Sequence, residues 1–197
     1  TDKAFVFLIK PDSVERNIYM RITEIKPLVC HCYRTNWVFV KVSTDEGLYG
    51  VGEATLEYRE PTLVAAIQEH DRKLRGWNPF EIEGIWHECY RDTYFRGGPV
   101  NMSALAGIEM ALWDIKGKAL GVPVYELLGG KVRDRVPCYA NGWFSPAKTP
   151  EEFAEKAKVA TARGFTGLKW DPFGKAYLNI SKADLRQALQ CIEAVVE

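Results

Sequence analysis

The sequence has no excess of charge of either sign, because 26 lysine and arginine residues are balanced by 26 aspartate and glutamate residues. A chain without net charge has no strong electrostatic field to attract nucleic acid or an anionic membrane surface. No apolar run approaches the roughly 18 residues that a membrane-spanning helix needs. We therefore expect no nucleic-acid partner and no membrane partner, and the hydrophobic content of 47% is that of an ordinary globular protein.

Cysteine is scarce as well, with five residues, an odd number without the spacing of a disulfide scaffold. This usage favours a reducing, cytoplasmic location. Cys30, His31 and Cys32 are adjacent, but no second pair of Cys or His residues lies nearby to complete a tetrahedral metal site. We predict that this segment is the end of a strand.

The first nineteen residues differ in character from the rest. An apolar segment runs into Lys-Pro-Asp at residues 10–12, followed by Val14 and Arg16. This opening resembles that of the nucleoside diphosphate kinases, in which the lysine helps to hold nucleotide phosphates. Because nothing downstream continues the resemblance, the competing interpretation is a short β segment or a fusion remnant. Residues 1–19 are predicted to be a foreign leader that ends before Met20.

Residues 20–130 have the order of an α+β domain. Segments 21–30, 37–43 and 48–54 are predicted strands of an antiparallel meander, with a glycine-containing turn at residues 44–47. Segments 63–74 and 81–92 are predicted helices, the first opened by Pro61. Strands followed by helices are typical of an α+β domain.

Residues 104–130 carry the most informative motif, ALAGIEMALWDIKGKALGVPVYELLGG. The apolar residues lie on one helical face. Gly121 and Pro123 stand where a helix ends, and Ser103 is a plausible N-cap. The string resembles the helix signature of the mandelate racemase and muconate lactonising branch of the enolase superfamily. The resemblance implies an α+β capping domain, a following TIM-type barrel and a homo-oligomer in the full-length enzyme.

From residue 136 the pattern changes to βα repeats. Strands at 136–142 and 165–170 alternate with helices that begin after Thr149 and at residue 183. A full barrel takes about 250 residues, so residues 136–197 have room for the first two βα units only. We expect an incomplete TIM-type barrel, and we expect this chain to be an inactive fragment that is prone to aggregate.

The second of these strands carries the candidate catalytic residues Lys169 and Asp171. Because side chains alternate along a strand, Gly167, Lys169 and Asp171 share one face, and Leu168 and Trp170 share the other. In a βα barrel, active sites are built at the carboxyl ends of the strands, and a desolvated lysine can serve as a base. The alternative is a structural Lys169–Asp171 pair or an exposed strand end.

The resemblance assigns a chemistry to this strand. Related enzymes use a Lys-x-Lys or Lys-x-Asp element there, and Lys169 matches its first position, whereas Asp171 replaces a second lysine. The surrounding segments 138–143 and 168–174 look most like the gluconate and galactonate dehydratase-like members. These act on a small-molecule sugar acid: a proton is abstracted beside the carboxylate, Mg²⁺ stabilises the enediolate, and loss of water gives a 2-keto-3-deoxy sugar acid.

The resemblance also places substrate-binding loops in the capping domain, where Arg34, Tyr58 and Arg59 are the polar candidates. It places the acidic magnesium ligands on later strands, so no metal ligand is assigned within this chain and the ligands are expected beyond residue 197. The alternatives are a non-catalytic remnant or fusion module, a racemase or cycloisomerase of the same superfamily, and a nucleoside diphosphate kinase-like phosphotransferase.

Overall fold

In the computed structural model, which describes residues 20–32, 35–91 and 94–196, the chain divides into two units with a boundary between Lys131 and Val132. Among the described residues, the first unit has three strands and four helices: β1 (Ile22–His31), β2 (Asn36–Thr44), β3 (Tyr49–Glu53), α1 (Glu60–Leu74), α2 (Ile82–Arg91), α3 (Pro99–Leu120) and α4 (Val124–Leu127). The second contains two strands and two helices: β4 (Ala140–Asn141), α5 (Pro150–Ala162), β5 (Leu168–Lys169) and α6 (Lys182–Val196).

The three strands of the first unit form an antiparallel sheet in the order β1-β2-β3. Alternate residues of β2 point to opposite faces, so Val38, Val40 and Val42 are fully buried against the helices. Gly47 closes the β2–β3 turn at φ 78°, a conformation that glycine adopts without steric cost. The predicted meander and the helices that follow it are confirmed.

Helix α3 packs unusually close to β3, because glycines line both elements. A Cβ atom added to Gly50 would collide with the carbonyl oxygen of Ala111, and one added to Gly52 would collide with the carbonyl oxygen of Gly107. A Cβ atom at Gly107 would lie 2.7 Å from the Cβ of Ala54. The glycines of the strand and of the signature helix therefore set the distance between helix and sheet.

Side chains from the helices cover the free edges of this sheet. At β3, the backbone N–H of Val51 donates to Asp114 Oδ2 at 2.9 Å, and Lys118 Nζ donates to the carbonyl of Tyr49 at 2.8 Å. At β1, the N–H of Ile25 donates to Asp71 at 2.6 Å. Such contacts satisfy edge groups that would otherwise be open to another strand. The charged positions of the signature helix thus have a structural role.

The core of the first unit lies between the sheet and helices α1, α2 and α3, and it consists of large aliphatic side chains. Its buried members are Met20, Ile22, Ile25, Val38, Val40, Val42, Ala54, Leu63, Ile67, Leu74, Ile82, Ile85, Cys89, Ala104, Leu105, Ile108, Ala111, Leu112 and Ile115. Helix α3 supplies six of these residues. The signature helix is therefore the central element of the unit.

Helix α3 begins one turn earlier than the sequence predicts. Its N-cap is Gly98 at φ 81°, and Pro99 occupies the first turn, where its missing N–H costs nothing. The prediction that Ser103 is the N-cap is wrong, since Ser103 lies in the second turn. The end of the helix is as predicted: Gly121 adopts the left-handed conformation at φ 70° and donates to the carbonyls of Gly117 and Lys118.

In the second unit, β4 and β5 pair in parallel, with Ala140 opposite Leu168 and Asn141 opposite Lys169. Helix α5 connects them, and it opens with a capping box in which Thr149 and Glu152 bond reciprocally. Both strands contain two residues, fewer than the sequence predicts. A strand–helix–strand unit with parallel strands is present, and helix α6 follows it.

None of the helices in the described part of the chain combines the length and the hydropathy needed to traverse a lipid bilayer.

Candidate functional site

The carboxyl ends of β4 and β5 bring the candidate strand residues to one edge of the second unit. The N–H of Ala140 donates to the carbonyl of Gly167 at 2.9 Å, which fixes the two strands side by side. Because the strands are parallel, Asn141 and Lys169 are neighbours in register and the chain leaves both strands at the same edge. This edge is where a βα architecture builds its sites.

Lys169 is held through its backbone rather than through its ammonium group. Its carbonyl accepts a hydrogen bond of 3.1 Å from Trp143 Nε1, and its Nζ lies 5.9 Å from the centroid of the Tyr139 ring. The side chain is exposed. The described residues leave this lysine exposed, so the expectation of a lysine in a desolvated pocket stays a prediction.

Asp171 lies two residues further along, also exposed, and its Oδ1 accepts from the N–H of Phe173 at 2.9 Å. This bond shapes the turn that leaves β5. Within the described residues, no ion pair joins Lys169 to Asp171, so the alternative of a structural pair is not found. The second alternative, an exposed strand end, describes both side chains.

Beside this edge lies an open cleft of about 710 Å³, to which Asp171 contributes. The start of α5 and its preceding loop form one wall, the turn after β5 a second, and α6 a third. The cleft carries both signs of charge, and its lining residues are Phe144, Ala147, Lys148, Phe153, Asp171, Pro172, Phe173, Gly174, Lys175, Ala176, Asn179, Asp184, Gln187, Ala188 and Cys191. Lys148, Lys175 and Gln187 are polar groups that sequence reasoning missed.

An aromatic cluster packs beside β5, and two of its members, Phe144 and Phe153, also line the cleft. Trp143 and Trp170 meet edge to face, with ring centroids 5.2 Å apart, and Trp143 also contacts Phe144 and Phe153. Leu168 and Trp170 are partly buried, whereas Lys169 and Asp171 are exposed. The two faces of the strand thus differ as alternation predicts. The indole nitrogen of Trp170 is buried without a hydrogen-bond partner among the described residues.

Two of the candidate substrate residues of the first unit, Tyr58 and Arg59, lie between β3 and α1. Tyr58 has φ 63°, a left-handed conformation that a tyrosine rarely adopts, and its side chain is 67% exposed. Arg59 follows it as the N-cap of α1, without a side-chain capping bond. Arg34 lies outside the described residues. The structure brings Tyr58 and Arg59 together at one loop, and Lys169 and Asp171 together at one strand end.

Glu60, the first residue of α1, is a further polar group at this loop that sequence reasoning missed. Its Oε1 accepts from the Thr35 hydroxyl at 2.7 Å and from the N–H of Asn36 at 3.2 Å. Hydrogen bonds from its own backbone, from Thr35, and from the backbone of Asn36 and Tyr58 lower the pKa of this carboxyl. An acidic residue directly before a helix proline is a weak signal in sequence, because it fits any first turn.

No metal centre can be built from the part of the chain that the structure describes. Its His, Cys, Asp and Glu side chains form no group of three or more able to hold an ion. A magnesium ion needs several oxygen ligands at one point. These residues alone do not fit the ion, and no chemical step is assigned to it here.

Residues 18–129 match the N-terminal domain of the mandelate racemase / muconate lactonizing enzyme family. The chain belongs to this family of the enolase superfamily. The match covers the three-stranded sheet and helices α1 to α4, so the packing of β3 on the signature helix lies within a family domain.

Two relatives extend the comparison toward dehydratases. A D-gluconate dehydratase of Thermoproteus tenax is 42% identical over 187 residues, covering 91% of this chain and 38% of that enzyme. A D-galactonate dehydratase of Variovorax paradoxus (strain S110) is 51% identical over 123 residues, covering 61% of this chain and 31% of that enzyme. The chain therefore matches about a third of the length of these two relatives.

A solved structure of a related protein shows the same similarity at the level of the fold. The enolase from Pantoea ananatis with bound D-gluconate and Mg superposes with a TM-score of 0.67 at 39% identity, covering 76% of this chain and 36% of that protein. The family of this chain therefore includes sugar-acid dehydratases, which are hydro-lyases.

Proposed function

We propose that the protein carrying this sequence dehydrates a sugar acid of the gluconate or galactonate type to a 2-keto-3-deoxy sugar acid. The observation that carries the proposal is the exposed pair Lys169 and Asp171 at the carboxyl end of β5, within a chain 42% identical to a D-gluconate dehydratase. Parallel strands ending together are the part of a βα fold that hosts chemistry. The alternatives of racemisation and cycloisomerisation share the first step, and the named relatives favour dehydration.

In this proposal, residues 20–130 are the capping domain and residues 136–197 begin a TIM-type barrel. Lys169 acts on the reacting end of the substrate, where its ammonium stabilises negative charge that develops beside the carboxylate. Asp171 accepts a hydrogen bond from a substrate hydroxyl. Since a carboxylate cannot replace a second lysine as a cation, we propose that the proton-abstracting base is a histidine or another base on a later strand.

Magnesium is proposed as the cofactor, because D-gluconate and Mg are bound together in the Pantoea ananatis protein. Its ligands are placed beyond residue 197. If bound there, the ion would supply positive charge to neutralise negative charge on the substrate's carboxylate. Tyr58 and Arg59, and Arg34 outside the described residues, are proposed to bind the sugar acid. A cytoplasmic homo-oligomer is the proposed state of the full-length protein.

The test is product formation by the full-length protein that contains this sequence, with D-gluconate and D-galactonate as separate substrates and Mg²⁺ present. We expect 2-keto-3-deoxy product from at least one of them. Lys169→Ala should lower kcat by at least about 100-fold, the loss typical of a missing acid–base or charge-stabilising group. Lys158→Ala is the matched control, because the Lys158 ammonium pairs with Glu155 at 2.9 Å on the exposed surface of α5.

Two results would count against the proposal. No product from any sugar acid would favour the non-catalytic module. Full activity of Lys169→Ala would leave the proposed reaction standing but would show that Lys169 on β5 takes no part in it.

A further inference from the structure

The loop between β3 and α1 is fastened to β2 at both of its ends. Near its start, the N–H of Ala54 donates to the carbonyl of Val38 at 2.9 Å, and the N–H of Val38 donates to Thr55 Oγ1 at 3.1 Å. At its end, Glu60 accepts from Thr35 and Asn36, the residues at the beginning of β2. The loop is thus an arch over one end of the strand.

The two fastenings differ in strength. The bonds at Ala54 and Thr55 join neutral groups, whereas the Glu60 carboxylate accepts two bonds as an ionised group. Charge-assisted bonds are shorter and roughly twice as strong as neutral ones. The 2.7 Å distance between Thr35 Oγ1 and Glu60 Oε1 fits that class. Glu60 is therefore the stronger of the two holds on the arch.

Between the two fastenings, the backbone passes through an unfavourable conformation. Tyr58 has φ 63°, and the next N–H, that of Arg59, donates to the carbonyl of Leu56 at 3.1 Å, which closes a tight turn. A non-glycine residue keeps such a conformation only when its surroundings impose it, and such residues cluster at ligand-binding sites. The turn directs the Tyr58 side chain outward, where 67% of it is exposed.

Tyr58 and Arg59 are the residues of the arch whose side chains carry groups suited to binding a substrate. A phenol can both donate to and accept from a hydroxyl, and a guanidinium binds a carboxylate through two parallel hydrogen bonds. Both groups suit a polyhydroxy acid. Their usefulness depends on position, because a binding group displaced by about 1 Å loses much of its effect.

We propose that Glu60 is a positioning residue for substrate binding, whose carboxylate holds the arch to β2 and thereby sets where Tyr58 and Arg59 meet the sugar acid. This inference rests on the proposed function. It requires Glu60 itself to make no contact with substrate.

The experiment compares three variants of the full-length protein by steady-state kinetics with the sugar acid that the wild type turns over. Glu60→Ala removes the hold, and we expect KM to rise by about tenfold with kcat within about twofold, the factor typical of one lost bond to a charged group. Glu60→Gln keeps a carbonyl acceptor of the same reach but loses the charge, so it should restore part of the wild-type KM. Glu69→Ala, exposed on the same helix, should match the wild type.

Hydrogen exchange gives a second readout that needs no substrate. In the wild type, the amide of Asn36 is protected by its bond to Glu60. We expect Glu60→Ala to accelerate exchange at Asn36, at Tyr58 and at Arg59 together, while Glu69→Ala leaves all three unchanged.

The outcomes separate the two proposals. A wild type that turns over no sugar acid overturns the proposed function, and the positioning role falls with it. An active wild type whose KM is unchanged by Glu60→Ala overturns the positioning role alone, even if exchange accelerates. Exchange at Tyr58 and Arg59 that does not respond to Glu60→Ala overturns it as well. Raised KM, accelerated exchange and partial rescue by Glu60→Gln together support it.

Discussion

The two units bury different kinds of side chain. In the first unit, nineteen buried residues form a core in which Ile, Leu and Val predominate. In the second unit, the buried hydrophobic residues among those described are four alanines and one cysteine: Ala140, Ala157, Ala160, Ala188 and Cys191. Large apolar residues of the second unit, such as Leu185 and Leu189 on α6, remain 40% and 49% exposed.

Burial of apolar area is the main favourable term in folding, at about 25 cal/mol per Å². An alanine removes far less of this area from water than a leucine does. The contacts within the described residues therefore stabilise the first unit much more than the second. The comparison predicts that substitutions in the first unit are costly and that those in the second are mild.

The largest expected effect is that of Gly52→Ala. The added Cβ would meet the carbonyl oxygen of Gly107, a backbone atom that cannot turn aside. We expect a loss of more than about 4 kcal/mol in the free energy of unfolding of the first unit, above the usual range for overpacking. Urea denaturation of the chain measures this loss.

Gly84→Ala is the matched control for this substitution. Gly84 lies in α2, and the nearest atom to an added Cβ is 3.9 Å away. Alanine there should stabilise the helix by up to about 1 kcal/mol. Equal effects at Gly52 and Gly84 would show that close packing of β3 on α3 does not hold the first unit together.

The next effect compares one leucine from each unit. Leu112 on α3 is fully buried, so Leu112→Ala should cost about 3 kcal/mol through lost burial and a cavity. Leu189 on α6 is about half exposed, so Leu189→Ala should cost less than about 1.5 kcal/mol. Thermal unfolding monitored by circular dichroism measures both. A larger loss of stability for Leu189→Ala than for Leu112→Ala would contradict the conclusion that the first unit is the more strongly stabilised.

The smallest effect is a dependence on pH that involves one glutamate in each unit. Bonds from the backbone of Lys148 and of Thr149 lower the pKa of Glu152, and the pKa of Glu60 is lowered by its own backbone and by Thr35. Each folded-state pKa lies below its ordinary value of 4.5, so the unfolded chain binds more protons at acidic pH. The stabilisation is present above that value and is lost as the pH falls through the folded pKa.

The expected result is a urea midpoint that falls steadily from about pH 5 toward pH 3. Glu152→Gln should reduce the pH dependence of the midpoint when unfolding of the second unit is followed by its helical signal. Glu60→Gln should reduce it when unfolding of the first unit is followed by the signal of its sheet. A midpoint that rises on acidification would contradict the sign of both shifts.

Much of the first unit could be predicted from the sequence, because its signals are local. The alternation of Val38, Val40 and Val42 predicts β2, and Gly121 with Pro123 predicts the end of α3. The start of α3 was missed, since Gly98 and Pro99 form a cap that competes with Ser103 for the same role. Propensity alone does not rank two caps that lie five residues apart.

In the second unit, local sequence signals predict that strands are present but not how long they are. The apolar strings at 136–142 and 165–170 predict strands of six or seven residues, yet β4 and β5 pair over two residues each. A ladder forms only where a partner strand is aligned, and composition does not contain that information. For the same reason, alternation placed Lys169 and Asp171 on one face correctly but could not state that both are exposed.

The site in the first unit was found only in part. Tyr58 and Arg59 were candidates because they are polar residues in a loop. The bond from Thr35 to Glu60 joins residues 25 positions apart, and no periodicity signals it. Contacts between separate turns of the chain require the fold itself.

The most direct test of the difference between the units is thiol labelling at one buried cysteine in each. Cys89 lies in the core of the first unit, where burial raises its pKa to about 11, and Cys191 is buried on α6 of the second. Two variants that each keep one of these cysteines would be labelled under native conditions, with each rate divided by that of the urea-unfolded chain. We predict that Cys191 reacts at least about 100-fold faster than Cys89 on this scale, because opening the second unit exposes less apolar surface. Equal protection, or faster labelling at Cys89, would contradict the account.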